Sequence, residues 1–337
     1  MQYRIVGETG LRLSAIGFGC GGNAGLMLRG EAREQTRIVA RALELGINYF
    51  DNAPDYGDGL AEMNLGRALK EIGARPLLNS KVEIRAENLG GIESHVVASC
   101  EGSLKRLGVE QLDVLQIHNG PSAAPPEMGS RYTQLHMEHF TRRGGAMDGL
   151  RRLHRDGKFR FAGFICRGGD GAEVRTLLDS GLFQIINAPF TLINPTAGHE
   201  ASGLRGVKDY QGCINAAQAR GIGAAVYSPL ASGFLTDDAV AGLDRNRLAR
   251  AYDMNSEASM RLRKQAAAVS FLARENGITL AQAAFRFVLT HGGVSVALGG
   301  FSDLQQLEEI AAAPDMGPFS ADAMARLADV WRANFGL

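Results

Sequence analysis

The stretch that decides the fold is Gly46-Ile47-Asn48-Tyr49-Phe50-Asp51-Asn52-Ala53-Pro54-Asp55-Tyr56-Gly57. A helical pattern over residues 31–45 precedes it, and Gly46 offers a C-terminal cap for that helix. The short apolar run at 47–50 then predicts a buried strand, which ends at the polar residue Asp51. This segment therefore predicts one helix-to-strand unit with a polar turn after the strand.

The same alternation of helical periodicity and short apolar runs continues along the chain. Eight main strands are predicted, at residues 15–19, 47–50, 77–81, 112–117, 159–165, 183–186, 223–226 and 294–298. Interleaved helices favour a parallel sheet with crossover connections. Eight such units in 337 residues suit a closed (β/α)₈ TIM barrel, whose functional sites lie at the C-terminal strand ends.

We therefore predict an α/β fold in which residues 1–337 form one barrel domain. An N-terminal β-hairpin is expected from the runs at 2–6 and 11–13, and long loops are expected at 119–145 and 229–260, on the C-terminal face. A doubly wound open sheet is the competing topology. It is disfavoured because no G-x-G-x-x-G pattern follows the first strand.

Composition excludes several classes of protein. Lys plus Arg equals Asp plus Glu at 36 each, so the chain lacks the basic excess that nucleic acid or an anionic membrane would attract. No apolar run approaches the ~20 residues that span a bilayer, and the N-terminus lacks the apolar core of a signal peptide. The isolated cysteines argue against disulfides or structural zinc. We expect a cytoplasmic protein.

Four polar residues fall at or just beyond predicted strand ends: Asp51, Tyr56, Lys81 and His118. Each alone has a structural explanation, such as a turn cap, a loop aromatic, a solvated lysine or a core histidine. In a barrel, however, successive strand ends converge on one mouth. We therefore predict that these four residues form one site.

Proton transfer coupled to hydride transfer is the chemistry that fits these side chains. Tyr56 can give a proton to a carbonyl oxygen, but a tyrosine has an unperturbed pKa of about 10. A neighbouring Lys81 ammonium would lower that pKa, and the Asp51 carboxylate would stabilise a buried Lys81. His118 would donate a hydrogen bond that orients the substrate oxygen. The hydride must come from a cofactor, because no side chain can donate one.

The sequence resembles the aldo-keto reductase family over nearly its whole length. The resemblance lies in the segment 46–57 and in Gly10-Leu11, Ser14, Glu62, Leu65-Gly66, Lys81, Leu112-Asp113, His118 and Tyr227-Ser228-Pro229-Leu230. It implies a TIM barrel, a nicotinamide cofactor bound without a Rossmann domain, and reversible reduction of a small carbonyl substrate. It also implies that Tyr56 is the general acid, that Lys81 and Asp51 tune it, and that His118 positions the carbonyl.

The resemblance carries over less completely to the nicotinamide end of the cofactor. Ile165 and Cys166 replace the family's usual serine and asparagine, and Arg167 is a candidate substitute. Asn187 occupies the place of an amide-binding glutamine, one methylene shorter. Phe190 fits the aromatic that stacks on the nicotinamide ring, and an ordinary core aromatic is the alternative.

The phosphate end of the cofactor is assigned to two further segments. Tyr227, Ser228 and Leu230 match the loop that wraps the pyrophosphate, where backbone N–H groups would bind. Near the last strand the candidates are Gly300, Ser302, Gln306 and Glu309. Gln306 stands where an arginine is often found, and residues 299–309 contain no Lys or Arg. NADP(H) is the family's usual cofactor, but the missing cation favours NAD(H) or dual use.

Three other functions compete with carbonyl reduction. A sugar 1-dehydrogenase would run the same chemistry oxidatively. A cofactor-binding regulatory subunit is a different class, and the complete set of four site residues argues against it. A metal-dependent barrel hydrolase is disfavoured because no paired histidines or carboxylate cluster accompany His118, so no metal site is predicted.

Overall fold

A computed structural model describes residues 1–22, 24–127, 134–243 and 252–337. Eight parallel strands form a closed barrel in the order β3-β4-β5-β6-β9-β10-β11-β12, which confirms the predicted (β/α)₈ TIM barrel. The strands are β1 (Tyr3–Ile5), β2 (Arg12–Ser14), β3 (Ile16–Gly19), β4 (Tyr49–Asp51), β5 (Leu77–Val82), β6 (Leu112–Ile117), β7 (Pro121–Ser122), β8 (Leu135–His136), β9 (Phe159–Ile165), β10 (Ile185–Pro189), β11 (Gly223–Tyr227) and β12 (Val294–Gly300).

Helices cover the outside of this barrel. They are α1 (Leu26–Arg29), α2 (Ala32–Glu44), α3 (Leu60–Ile72), α4 (Ile92–Leu107), α5 (Met137–Thr141), α6 (Ala146–Arg155), α7 (Gly171–Leu178), α8 (Cys213–Gln218), α9 (Asp237–Ala241), α10 (Glu257–Val269), α11 (Phe271–Arg274), α12 (Leu280–Thr290), α13 (Leu304–Ala311) and α14 (Ala321–Arg332). Short 3₁₀ turns lie at Ala86–Asn88, Ala231–Gly233, Ala313–Met316 and Asn334–Gly336.

The segment between α2 and β4 explains why this strand begins and ends later than the sequence predicts. Gly46 adopts a φ of 86°, and the N–H groups of Gly46 and Ile47 donate to Leu43 O and Ala42 O. These bonds end the helix. Because the Ile47 N–H takes part in them, Ile47 belongs to the helix end and not to the sheet. The strand consequently begins at Tyr49 and includes Asp51, which is therefore the last residue of the strand and not the first of the turn.

The predicted N-terminal hairpin is confirmed as β1 paired antiparallel with β2. Its residues Val6, Leu11 and Leu13 are buried in a cluster with side chains from inside the barrel, including Tyr49 and Val296. Apolar surface is thus buried at the end of the barrel opposite the strand exits. The hairpin leaves the C-terminal face as the open end.

The two long loops expected on the C-terminal face contain more regular structure than predicted. The first includes the parallel pair β7–β8, in which Pro121 lies opposite Leu135, followed by α5. The second includes the turn Ala231–Gly233, helix α9 and the start of α10. Residues 128–133 and 244–251 of these loops lie outside the described residues.

Across the described ranges, no helix combines the length and the apolar character needed to traverse a membrane.

Candidate active site

The four site residues predicted from the sequence converge at the C-terminal end of neighbouring strands. Asp51 ends β4, Lys81 is next to last in β5, and His118 follows β6 directly. Tyr56 lies in the turn after β4. Asp51, Lys81 and His118 are buried, whereas Tyr56 is half-buried. All four residues line one cavity.

A buried ion pair connects the lysine to the tyrosine. Lys81 Nζ donates to Asp51 Oδ1 at 2.5 Å and to the carbonyl oxygen of Asn52 at 2.7 Å. The same ammonium lies 3.5 Å from Tyr56 Oη and 5.1 Å from the centre of the tyrosine ring. A positive charge is therefore fixed beside the phenol oxygen, where it favours the phenolate.

A second carboxylate, that of Asp55, contacts His118. Asp55 Oδ1 lies 3.0 Å from His118 Nδ1, and both side chains are at most 3% exposed. Burial lowers the pKa of His118, although the hydrogen bond and charge of Asp55 act in the opposite direction. Burial opposes ionisation of Asp55, but its hydrogen bond with His118 and the nearby charges bring its pKa below the usual value. The rings of Tyr56 and His118 meet edge to face at 5.9 Å.

Asp55 was missed as a site residue by the sequence analysis. It belongs to the turn at residues 52–57 and precedes Tyr56, so the signal available was its place beside a predicted site residue. An aspartate in a turn is commonly explained by local backbone hydrogen bonds, and sequence alone does not show which way its side chain is directed.

A ring of buried amides supports Asp51 inside the barrel. Asn79 Nδ2 donates to Asp51 Oδ2 at 2.7 Å and lies 3.3 Å from Gln116 Oε1. Gln116 Nε2 donates to Asn187 Oδ1 at 2.7 Å, and Asn187 Nδ2 donates to Asp51 Oδ2 at 3.3 Å, which completes the ring. The ring was not predicted, but Asn79 and Gln116 each lie two residues before a predicted site residue, on the same inward face of a strand.

Replacing Gln116 by Met is expected to lower the free energy of unfolding by about 1–3 kcal/mol, because buried Asn187 Oδ1 loses its donor. Urea unfolding of the purified variant measures this. Gln111→Met is the matched control, since Gln111 is exposed directly before the same strand and its loss should cost less than about 0.5 kcal/mol. Equal stability of the two variants would contradict a structural role for the amide ring.

The cavity that contains the site is open at its mouth and encloses about 1010 Å³, part of which is open solvent. Its wall includes the site residues, apolar groups such as Ile165 and Leu298, and the guanidinium of Arg167. A cavity at the C-terminal face of a barrel is the usual place of a small-molecule site.

Comparison with known proteins identifies the family. The sequence model described as "Aldo/keto reductase family" matches residues 15–167 and 204–332. The chain belongs to the aldo/keto reductase family. Its members are NAD(P)-dependent oxidoreductases of carbonyl compounds, so this aldo/keto reductase is an NAD(P)-dependent oxidoreductase.

Individual relatives of this aldo/keto reductase carry different names. It is 28% identical to L-glyceraldehyde 3-phosphate reductase of Escherichia coli strain K12, over 97% of this chain and 91% of that protein. It is 27% identical to a putative voltage-gated potassium channel subunit beta of Schizosaccharomyces pombe, over 92% of this chain and 87% of that protein. Its fold is similar to a holo-form aldo-keto reductase of Bacillus halodurans, with a TM-score of 0.70 at 21% identity, over 98% of this chain and 96% of that one.

Five of the nine residues predicted to bind the cofactor line the cavity. They are Asn187, Tyr227, Ser228, Leu230 and Gly300. The described cavity wall does not include the other four, which are Phe190, Ser302, Gln306 and Glu309. The structure thus places Asn187 and the pyrophosphate candidates near the site, whereas Phe190 and most of the candidates near the last strand lie outside the described cavity wall.

Phe190 lies in the core of this aldo/keto reductase, which corrects its assignment as the stacking aromatic. Its ring lies 4.8 Å from that of Phe287 in α12 and 5.6 Å from those of His199 and His291. Because β10 ends at Pro189, the next side chain lies between the barrel and the outer helices. Tyr227, in contrast, lines the cavity, and its ring centre lies 5.4 Å from the Arg167 guanidinium carbon.

The cofactor-binding candidates Ser302, Gln306 and Glu309 form hydrogen bonds at the starts of helices α12 and α13. Gln306 Oε1 accepts from the Ser302 backbone N–H and hydroxyl, both at 3.0 Å, so in this structure that N–H has a partner within the chain. Gln306 N–H donates to Asp303, which caps α13. Glu309 accepts from Thr279 Oγ1 at 2.5 Å, at the start of α12.

The loop after β11 lies beside the cavity and contains residues with strained backbone conformations. Ser228, Ala231 and Ser232 all have positive φ angles, of 54°, 47° and 59°. Such angles cost non-glycine residues about 1–3 kcal/mol each and persist at ligand-binding turns. Ser228, Leu230 and Ser232 line the cavity, so the strained turn forms part of its wall.

Proposed function

We propose that this aldo/keto reductase, acting as one barrel domain over residues 1–337, reversibly reduces small aldehydes, ketones or sugar carbonyls to alcohols with Tyr56 as general acid. The observation that carries the proposal is the 3.5 Å approach of Lys81 Nζ to Tyr56 Oη, with the ammonium anchored on buried Asp51. A structural lysine would not need a phenol oxygen beside it. The arrangement suits a tyrosine that must lose and regain its proton.

Carbonyl reduction adds a hydride to carbon and a proton to oxygen. Tyr56 Oη gives its proton to the substrate oxygen, and the phenolate that remains is stabilised by the Lys81 charge. Asp51 and the Asn52 carbonyl keep the ammonium in position throughout. In the oxidative direction the same phenolate takes the proton from the alcohol.

The cavity wall fits a nicotinamide cofactor, which supplies the hydride when bound. Tyr227 offers an aromatic face, and Arg167 and Asn187 offer N–H groups at the nicotinamide end. Gly21 leaves room beside the site, since a Cβ there would lie 3.4 Å from the Tyr56 ring. The positive-φ turn at Ser228 suits pyrophosphate, because turns of this kind direct backbone N–H groups into a concave surface.

NAD(H), or dual use of NAD(H) and NADP(H), is the cofactor choice that we propose. No Lys or Arg lies within residues 299–309, where a 2′-phosphate would need a cation. Gln306 is engaged with Ser302, and Asp303 adds a negative charge at the same helix start.

The proposed function predicts that the purified protein oxidises reduced nicotinamide in the presence of small aldehydes. Absorbance of NADH and NADPH is followed in parallel assays over a panel of aliphatic and hydroxylated aldehydes. We expect turnover with NADH at a rate comparable to or above that with NADPH. A large preference for NADPH would contradict the cofactor proposal, and no oxidation with either cofactor would contradict the reductase itself.

A cofactor-binding regulatory role is a second candidate, because a relative named as a channel beta subunit matches 92% of the chain. The complete set of Asp51, Tyr56, Lys81 and His118 favours the enzyme. A sensor could bind NAD(P)H without turning over a carbonyl. The parallel assays separate the two, since binding without turnover supports the regulatory role.

A further inference from the structure

The contact between Asp55 and His118 restricts where the histidine can carry its protons. Asp55 Oδ1 lies 3.0 Å from His118 Nδ1 in a buried pair. An ionised carboxylate can only accept, so Nδ1 must be the protonated nitrogen. His118 lines the cavity, and its other nitrogen, Nε2, lies on the ring edge away from Asp55. In neutral His118 this Nε2 has a lone pair and no hydrogen.

That tautomer changes what His118 can do for a substrate. A neutral Nε2 can accept a hydrogen bond from an alcohol O–H, but it cannot donate one to a carbonyl oxygen. Donation to a carbonyl requires imidazolium, in which both nitrogens carry hydrogen. The simple donor role predicted for His118 is therefore available only in its charged form.

We propose that Asp55 is a positioning residue that fixes His118 as the Nδ1–H tautomer, so that the charge of His118 decides whether the site binds a carbonyl or an alcohol. This inference rests on the proposed reductase function. It concerns hydrogen bonding alone, since the proton and hydride of the reaction remain with Tyr56 and the cofactor.

Within the described part of the chain, four groups face His118 and influence its charge. Asp55 favours imidazolium, whereas Lys81 and Arg167 oppose it, and the ring of Tyr56 meets the imidazole at its edge. Burial also opposes the charge and gives His118 a lowered pKa. The His118 contribution to carbonyl affinity is therefore complete below that pKa and is lost as pH rises through it, while the Tyr56 hydroxyl continues to donate. Alcohol affinity changes in the opposite sense.

Kinetics of an Asp55→Asn variant test the proposal. For the unmodified enzyme, we expect the KM of the carbonyl to rise with pH by at most about tenfold per unit, and the KM of the alcohol to fall. Asparagine removes the negative charge that favours imidazolium, so the rise in carbonyl KM should move to lower pH or disappear. Asp58→Asn is the matched control, because exposed Asp58 lies in the same turn with a φ of 54°, which asparagine tolerates. It should keep the original profile.

Imidazole nitrogen NMR shifts of the full-length protein provide a readout that needs no turnover. The His118 signal is assigned by its absence in His118→Gln. We expect a protonated Nδ1 in the unmodified protein and in Asp58→Asn, and a changed His118 signal in Asp55→Asn. A protonated Nε2 with a bare Nδ1 in the unmodified protein, or an Asp55→Asn profile equal to that of the control, would overturn the inference. Failure of the reductase function would instead appear as absent turnover with these NMR results intact.

Discussion

Replacing Tyr56 by Phe is expected to lower kcat by about 10²–10⁴-fold while leaving cofactor binding nearly unchanged. The substitution removes only the phenol oxygen, and the ring keeps its edge contact with His118. Lys81 retains Asp51 and the Asn52 carbonyl as partners, so the ion pair remains satisfied. The loss should therefore fall on the chemical step and on neither folding nor the affinity for NAD(P)H.

Three measurements separate these effects in the Tyr56 variant. Steady-state kinetics give kcat, fluorescence titration gives the Kd for NADH and NADPH, and urea unfolding gives the stability. Tyr3→Phe is the control, because Tyr3 also loses one hydrogen bond, from its hydroxyl to Gly46 O, at the far end of the barrel. Tyr56→Phe activity equal to that of the control would remove Tyr56 from the mechanism.

The positions of the four site residues could be predicted because a barrel relates sequence to space simply. A polar residue at the end of a buried parallel strand must lie at the common mouth. Asp51, Lys81 and His118 obey this rule directly, and Tyr56 follows from the shortness of its turn. The rule needs only strand positions, which short apolar runs between glycines indicate well.

Contacts that depend on side-chain direction could not be predicted in the same way. The choice of stacking aromatic needs the face of each residue as well as its strand. Phe190 lies three residues after inward-facing Asn187 and so falls on the outer face, whereas Tyr227, which pairs with Pro189, lines the cavity. The bond from Asp55 to His118 depends equally on a turn conformation. Sequence periodicity gives no information on that turn.

The replacement of Lys81 by Met is expected to lower the free energy of unfolding by about 3–5 kcal/mol and to reduce kcat strongly. Asp51 would remain buried at 4% exposure with amide partners only, Asn79 and Asn187, and no positive charge. Tyr56 would also lose the ammonium 3.5 Å from its oxygen. Urea unfolding and steady-state kinetics on the same preparation measure both losses. The exposed helix variant Lys105→Met, the control, should change the unfolding free energy by less than about 0.5 kcal/mol.

Adding Asp51→Asn to Lys81→Met separates stability from catalysis. The double variant has no uncompensated buried charge, so its unfolding free energy should recover most of what the single variant lost. Its kcat should stay low, because asparagine restores no cation beside Tyr56. If the double variant were as unstable as Lys81→Met, the lysine would stabilise the barrel by packing and not by charge. If its kcat recovered together with its stability, the ammonium would have no role in activating the tyrosine.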